Sequence, residues 1–294
     1  MKKNIVIFGH TGQLGRSLIK NFENNFKLNK NFTILKRRFN LQNITKIPKN
    51  SVIINCAAYT NVDQSEVNKD EANLINNLLV KETSLVCRKK NCLLIHFSSD
   101  YVFGGNKRGY TETDKLKPIN YYGYTKLLGE KAIKETSCNH IIFRVSWLYS
   151  IYGTNFIKKI FQKIINNEKI MVVNDQYGSP TSCNLISKVL NKIIFDKNWY
   201  NKKKLYHLSS MGRTNWYNIA KFVIKYSKKK IKKNSSTLEA TNSKKFKTIA
   251  KRPKNSYLIS KKIQNELNHK INNWRYYMKD VLDELILVNE KKNR

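Results

Sequence analysis

The feature that most constrains this chain stands at its beginning. A short apolar run, Asn4 to Phe8, passes straight into Gly9-His10-Thr11-Gly12-Gln13-Leu14-Gly15, and from there into a segment with Leu14, Leu18 and Phe22 at four-residue spacing. Strand, glycine turn and helix in that order make the first unit of a dinucleotide-binding α/β fold. Gly9 permits the tight turn, Gly12 lets backbone N–H groups approach a pyrophosphate, and Gly15 lets the helix lie close on the strand. The helix N-terminus adds the positive end of its dipole. Without the flanking strand and helix, the same glycines would indicate no more than a turn.

Further β-branched runs follow: FTILK at 32 to 36, SVIIN at 51 to 55, LLIHF at 93 to 97, HIIFRV at 140 to 145, and the weaker IMVVN at 170 to 174 and LYHLS at 205 to 209. Runs apolar on both faces suit the buried strands of a parallel sheet. Helical spacing fills the intervals, with Ile75 and Leu79 in one and Leu127 to Ile133 in another. The expected fold class is therefore α/β, a doubly wound parallel sheet of Rossmann type. Past residue 147 the alternation breaks down into a helix at 155 to 167, a loop at 175 to 181, a helix at 216 to 226 and a highly charged stretch at 225 to 247. This divides the chain into a cofactor domain at 1–147 and a smaller, mainly substrate-binding domain at 148–294, with some segments returning to the sheet.

Composition narrows the partners. The net charge of +36 comes from 56 Lys and Arg against 20 Asp and Glu, but 46 of the cations are Lys and only 10 are Arg. They are scattered along every segment, whereas a reader of base edges draws more often on bidentate Arg. A solvated basic surface fits better than a nucleic-acid interface, and no nucleic-acid partner is expected. Cys56, Cys87, Cys92, Cys138 and Cys183 are odd in number and lack a CxxC pair, so they read as reduced thiols. The apolar run at the start is too short for a secretory signal, and nowhere do ~18 apolar residues run together as a membrane span would require. The expected compartment is the cytoplasm.

Two clusters carry chemistry. At the end of the second strand, where NAD binders commonly place an acid for the ribose hydroxyls, stand Lys36, Arg37 and Arg38. Cations pair with a 2′-phosphate, so NADPH is expected over NADH, which stays the alternative. The fourth strand then leads into Ser98-Ser99-Asp100-Tyr101, and some twenty residues on comes Tyr121-Tyr122-Gly123-Tyr124-Thr125-Lys126. Tyr122 and Lys126 share a helix face; Tyr121 and Tyr124 have Thr125 and Leu128 at the same offset. A cation beside the phenol is expected to lower its pKa and make Tyr122 a usable acid, with the Ser99 hydroxyl polarising the carbonyl being reduced.

With these motifs in order, the chain resembles the extended short-chain dehydrogenase/reductases and, within them, the dTDP-4-dehydrorhamnose reductase family. The likeness is carried by GHTGQLG, NCAAYTNVDQSE at 55 to 66, HFSSDYVFGG at 96 to 105, YYGYTKLLGE at 121 to 130, FRVSWLY at 143 to 149, NDQYGSPT at 174 to 181 and KRPKNSYL at 251 to 258. It implies NADPH-dependent reduction of the 4-keto group of dTDP-6-deoxy-L-lyxo-4-hexulose to dTDP-L-rhamnose. It further implies that Gly12, Gln13 and Leu14 hold the pyrophosphate, Asn40 and Leu41 the adenine, and Ala57, Ala58 and Tyr59 the middle of the cofactor. Tyr122 would donate the proton, Lys126 would grip the nicotinamide ribose and Ser99 would bond the keto oxygen. Val62, Asp100, Tyr101 and Trp147 would meet the sugar nucleotide, and Arg252 either its diphosphate or a salt-bridge partner.

The sequence departs from the family pattern in two places. Ser99 stands where relatives often have Thr, which keeps the hydroxyl. Ser17 stands where some relatives carry a Glu that bridges a dimer through magnesium, so no metal is expected there and a homodimer is left open. The competing readings are an epimerase or dehydratase of the same superfamily, a non-catalytic NADP-binding subunit, and a basic nucleic-acid binder.

Overall fold

The computed structural model describes residues 3–26, 32–228, 230–231 and 236–292. Four βα steps and a fifth strand build the first part of the chain: β1 Lys3–Phe8, α1 Gln13–Phe26, β2 Phe32–Arg37, α2 Leu41–Thr45, β3 Val52–Asn55, α3 Gln64–Val67, α4 Lys69–Asn73, a π-helical turn Leu74–Leu78, α5 Leu79–Lys89, β4 Leu93–Ser99, α6 Tyr121–Thr136 and β5 Asn139–Val145. Shorter pieces follow: β6 Leu148–Tyr149, α7 Phe156–Ile165, β7 Ile170–Val173, β8 Tyr177–Gly178, β9 Thr181–Ser182, α8 Cys183–Phe195, β10 Lys203–His207, β11 Thr214–Asn215, α9 Trp216–Lys228, β12 Leu238–Thr241, α10 Lys261–Glu266 and α11 Trp274–Lys292.

Six strands form one parallel sheet in the order β10-β5-β4-β3-β1-β2. The winding direction reverses at β1, whose neighbours are β2 and β3, and the crevice beyond the carboxyl ends of strands at such a reversal is where this architecture binds ligands. Both faces of the sheet are covered, which is why its inner strands are largely apolar, while the edge strands β2 and β10 carry Lys36, Lys203 and Lys204 outward. Ile5, Ile7, Ile54, Ile95 and Phe143 pack under Leu14, Leu18 and Phe22 of α1 and Leu185, Val189 and Ile193 of α8. Val6, Phe8, Ile53, Leu94 and Ile142 pack against Val80 and Cys87 of α5 and Ile133 of α6. A further core gathers Ile157, Ile160 and Ile164 of α7, Val223 of α9 and Met278, Leu282 and Leu285 of α11.

The apolar run at 170 to 174 is a strand, but not of this sheet: β7 pairs in parallel with β12, and Met171 is exposed. The stretch 175 to 181, expected as loop, contains the two-residue strand β8 and the first residue of β9. The charged stretch at 225 to 247 contains the end of α9 and β12, while 229 and 232–235 lie outside the described residues. All five cysteines are free, four of them buried and Cys56 half-buried. Among the described residues no helix is long and apolar enough to cross a membrane.

Candidate active site

The glycine turn is built as its sequence requires. Gly9 has φ +71°, and a Cβ there would fall 2.5 Å from the Ala57 nitrogen; one at Gly15 would fall 2.3 Å from the Gly9 carbonyl oxygen. The Gly12 N–H donates to that carbonyl at 3.1 Å, and α1 starts at the next residue, where first-turn N–H groups have no intrahelical acceptor. At Gly12 an added Cβ would meet nothing closer than 3.4 Å, so its backbone stays open to the cleft. The turn after β3 is shaped from within: the Asn55 side chain accepts from the Ala57 N–H at 3.1 Å.

Between these turns and the end of β4 lies a cleft of about 580 Å³. Of the residues expected around a cofactor and its chemistry, Gly9, Gly12, Gln13, Leu14, Ala57, Ala58, Tyr122 and Lys126 line it. The glycine backbone and free helix end suit a pyrophosphate, so a dinucleotide fits the groups present. Phe39, Thr60, Phe97, Ser98, Leu148 and Thr154 also line the cleft and were not singled out from sequence. Phe39, tilted against Phe8 with ring centroids 5.2 Å apart, sits just past the basic run that drew attention.

Other expected contacts are not among the residues lining the cleft. Asn40 caps α2, accepting from the Asn43 N–H at 3.0 Å, and Leu41 is exposed. Lys36 pairs with Glu23 at 2.9 Å and lines a separate basic hollow of about 420 Å³ with His10, Arg16 and Lys20. The Arg37 carbonyl meets the His10 ring at 3.2 Å. Tyr59 is held through its backbone by a residue that sequence reasoning missed. Asn76, buried in the π-helical turn, accepts from the Tyr59 N–H at 2.9 Å and donates to the Tyr59 carbonyl and the Thr125 hydroxyl, both at 3.1 Å. In a chain this rich in Asn, nothing local marked it.

The reacting end is held by the start of α6. Asn120 caps it through the Gly123 N–H at 2.8 Å and donates to the Lys251 carbonyl at 2.9 Å. Gly123 has no room for a Cβ, which would sit 2.1 Å from the Tyr101 carbonyl oxygen. That close seat brings Tyr122 near Ser99, whose hydroxyl acts to lower the phenol's pKa. The Tyr101 ring stands edge-on to Tyr122, centroids 5.8 Å apart. Ser99 also donates to Asp100 at 3.2 Å and accepts from the Tyr101 N–H at 3.2 Å.

The electrostatics correct one expectation. Lys126 does not lower the Tyr122 pKa: burial pushes the phenol up to about 12, with the Ser99 hydroxyl pulling it back and Asp100 adding to the rise. The helix spacing puts both residues on one face, but the Lys126 ammonium turns to the Phe97 carbonyl, 2.7 Å away. Burial lowers Lys126 itself to about 8, opposed by Glu130. Asp100 is raised to about 7, again by burial, against hydrogen bonds from Ser256 and Ser99; its Oδ2 is buried without a partner.

Around this centre, Val62 is half-buried and offers its carbonyl to Ser65 at 2.7 Å. Trp147 stacks on Trp216 with centroids 3.8 Å apart. Arg252 forms the salt bridge that was its alternative, 2.7 Å to Asp63, and also faces a hollow of about 630 Å³ lined by Lys247, Lys251 and Lys254. At the magnesium-linked position of some relatives, Ser17 is buried and donates to the Gln13 carbonyl at 2.8 Å.

A switch-point cleft with a glycine cradle, and a Ser–Tyr pair above a buried Lys, define an oxidoreductase of the short-chain dehydrogenase/reductase class. More narrowly, the chain belongs to the family described as RmlD substrate binding domain, whose model matches residues 2–287. It is 34% identical to dTDP-4-dehydrorhamnose reductase of Escherichia coli strain K12, over 96% of this chain and 98% of that one. The crystal structure of dTDP-4-dehydrorhamnose reductase from Bacillus anthracis strain Ames in complex with NADP superposes with a TM-score of 0.87 at 29% identity, covering 97% of this chain and all of that one. A Clostridium acetobutylicum dTDP-4-dehydrorhamnose reductase structure gives 0.85 at 29% identity, covering 96% and 99%.

Proposed function

We propose that the protein reduces the 4-keto group of dTDP-4-dehydrorhamnose to give dTDP-L-rhamnose, using NADPH. The observation that carries this reading is one cleft lined by the glycine turn, Tyr122 and Lys126, with the Ser99 hydroxyl near enough to Tyr122 to pull its pKa down. The names of its relatives and the NADP held by the Bacillus anthracis structure support it.

In this reading residues 1–147, with β10 completing the sheet and α8 covering one face of it, hold the cofactor, and the remaining later segments hold the sugar nucleotide. Gly12, Gln13 and Leu14 offer backbone to the pyrophosphate, while Ala57 and Ala58 line the middle of the groove. The Asn40 side chain would come to the cofactor by leaving its cap on α2, whereas the exposed Leu41 has no such bond to give up. The reduced nicotinamide supplies the hydride. Ser99 and Tyr122 both hydrogen-bond the keto oxygen as negative charge develops on it, and Tyr122 gives up its proton. An alkoxide is far more basic than a phenolate even at a pKa of about 12, so the transfer runs downhill, and the high value keeps Tyr122 protonated at neutral pH. Lys126 grips the ribose when it leaves the Phe97 carbonyl. Asp100, Tyr101, Val62 and Trp147 contact the sugar, and Arg252 exchanges Asp63 for a phosphate oxygen. Free thiols and the absence of a membrane-crossing helix among the described residues favour the cytoplasm.

Incubation of the purified protein with NADPH and the 4-keto dTDP sugar, followed by loss of reduced-nicotinamide absorbance and analysis of the product, tests this. One NADPH consumed per dTDP-L-rhamnose formed is the expected result. Sugar conversion with no net NADPH loss would assign the chain to epimerase or dehydratase chemistry, and no conversion at all would remove the reductase reading.

A further inference from the structure

Among the described residues, five non-glycine positions other than Trp147 have positive φ, and they are Asn50, Asn91, Asn167, Asn268 and Ser137. Small polar residues visit this region at modest cost because their side chains bond locally. Trp147 has no such excuse, yet its φ is +47°. A strained backbone at a bulky residue persists only where its surroundings over-determine it.

Those surroundings are specific. The indole of Trp147 lies flat on that of Trp216, centroids 3.8 Å apart and planes 15° from parallel. Phe156 backs Trp216 from another side at 4.6 Å. Opposite, Gly178 leaves the space the ring occupies: a Cβ there would lie 2.7 Å from two carbons of the Trp147 indole. The backbone is tied on both sides, by the Ser146 hydroxyl donating to the Ser179 carbonyl at 2.7 Å and by the Thr181 N–H donating to the Trp147 carbonyl at 3.2 Å. Gly178 pairs with Thr214, two residues before Trp216, so one small ladder sets both walls of the slot.

The slot opens toward the chemistry. Trp147 and Trp216 line a hollow of about 210 Å³ that has Gln13, Thr60, Leu148 and Thr154 in common with the cofactor cleft. Both indoles are only partly buried, so their edges remain accessible from that side.

We infer that Trp216 is a positioning residue: with Gly178 it clamps the Trp147 indole in a strained backbone conformation so that the ring presents one fixed surface to the sugar of the nucleotide-sugar substrate. The inference rests on the sugar contact proposed for Trp147. A free indole would have to be ordered at each binding event; a clamped one is preorganised, and the cost has been met in folding.

Steady-state kinetics on Trp216→Leu, Trp216→Phe, Gly178→Ala, Trp147→Ala and the Trp147→Ala/Trp216→Leu double variant test this, with NADPH affinity measured separately in the absence of sugar. Leu keeps apolar volume but offers no flat face, Phe keeps a smaller face, and Ala at 178 pushes the indole while leaving Trp216 intact. Trp216→Leu and Gly178→Ala should each raise KM for the sugar nucleotide roughly tenfold, the scale of one to a few kilocalories of strain and stacking. Both should leave NADPH affinity unchanged, Trp216→Phe should recover most of the loss, and the double variant should match Trp147→Ala alone. Unchanged KM in Trp216→Leu and Gly178→Ala, a parallel loss of NADPH affinity, or effects that multiply in the double variant would overturn the inference. An unchanged KM in Trp147→Ala would instead remove the sugar contact beneath it, and the clamp with it.

Discussion

The ammonium of Lys126 donates to the backbone carbonyl of Phe97 at 2.7 Å, from a side chain that is almost fully buried. The bond ties the middle of α6 to the end of β4, the two elements that carry Tyr122 and Ser99. Burial holds the Lys126 pKa at about 8, below its ordinary 10.5, so the cation is present below pH 8 and lost above it. Stability runs the other way. The cost of burying the charge is full below pH 8 and is relieved between about 8 and 10.5, because the unfolded chain binds the proton there and the folded chain does not. NADPH affinity measured from about pH 7 to pH 9.5 should therefore fall above pH 8 with no parallel fall in Tm contributed by this group. Lys126→Met should lack that inflection. A wild-type profile flat across the range would detach Lys126 from the cofactor.

Tyr122→Phe removes the acidic proton and keeps the ring that meets Tyr101 edge-on. Proton transfer by a placed side chain contributes on the order of 10²–10⁴ in rate, so kcat should drop by about that factor while NADPH binds as before. Ser99→Ala should cost less, since it removes one of two donors to the developing charge; Ser99→Thr, which keeps a hydroxyl, should retain most activity. Full turnover in Tyr122→Phe would take the proton donor elsewhere.

Asp100 offers a stability test with a defined sign. Its pKa is raised from 3.8 to about 7 by burial, so the folded state favours the neutral acid. Its contribution to stability is whole below pH 3.8 and gone above about 7, where a charged carboxylate sits buried with Oδ2 unpartnered. Asp100→Asn, neutral at every pH, should raise Tm by roughly 4–8 °C at pH 8.5 and by only about a third as much at pH 5. Thermal melts at the two pH values decide it; an equal shift at both would mean that the side chain's shape matters, and its charge does not.

Asn76 ties three elements through one amide, bonding both backbone groups of Tyr59 and the hydroxyl of Thr125. Thr125 in turn donates to the Tyr122 carbonyl at 2.9 Å. Asn76→Ala strands buried polar groups worth about 1–3 kcal/mol apiece when unsatisfied, so a loss of roughly 2–4 kcal/mol is expected in denaturant unfolding, together with weaker NADPH binding. A variant as stable as wild type would show that water replaces the amide.

The glycine turn and the parallel sheet were legible because their determinants are local. Gly9, Gly12 and Gly15 follow a strand and open a helix within twelve residues, and the doubly apolar runs fit a sheet covered on both faces. Tyr122 and Lys126 were placed on one helix face by spacing alone. Their electrostatic relation was not readable, because it depends on the carbonyl of Phe97, which belongs to a strand 29 residues away. Asn76 and Trp216 escaped notice for the same reason: each acts through contacts distant in the chain, and neither has a neighbour in sequence that marks it. Beyond residue 147 the strands are two to five residues long, and β7 finds its partner in β12 across two intervening helices, so periodicity had little to work on.

Cofactor choice supplies the last test. Lys36 ends in an exposed pair with Glu23, both side chains about half accessible. Pairs of this kind add between 0 and about 1 kcal/mol to stability, so little opposes a transfer of the ammonium to a ligand phosphate. The hollow it lines adjoins the glycine turn through His10 and Thr11 and carries Arg16, whose guanidinium lies 4.7 Å over the Tyr152 ring, against the one carboxylate of Glu23. A ribose at the end of β2 would turn its 2′-substituent toward these cations. Lys36→Ala should weaken NADPH roughly 5- to 10-fold, a charge-assisted bond discounted for exposure, and leave NADH unchanged. Glu23→Gln, which frees the ammonium, should tighten NADPH by a few-fold at most. Dissociation constants for both cofactors, measured without sugar, give the ratio directly. If NADPH and NADH respond alike to Lys36→Ala, the basic residues at the end of β2 do not read the phosphate, and their presence there reflects only the abundance of lysine in the chain.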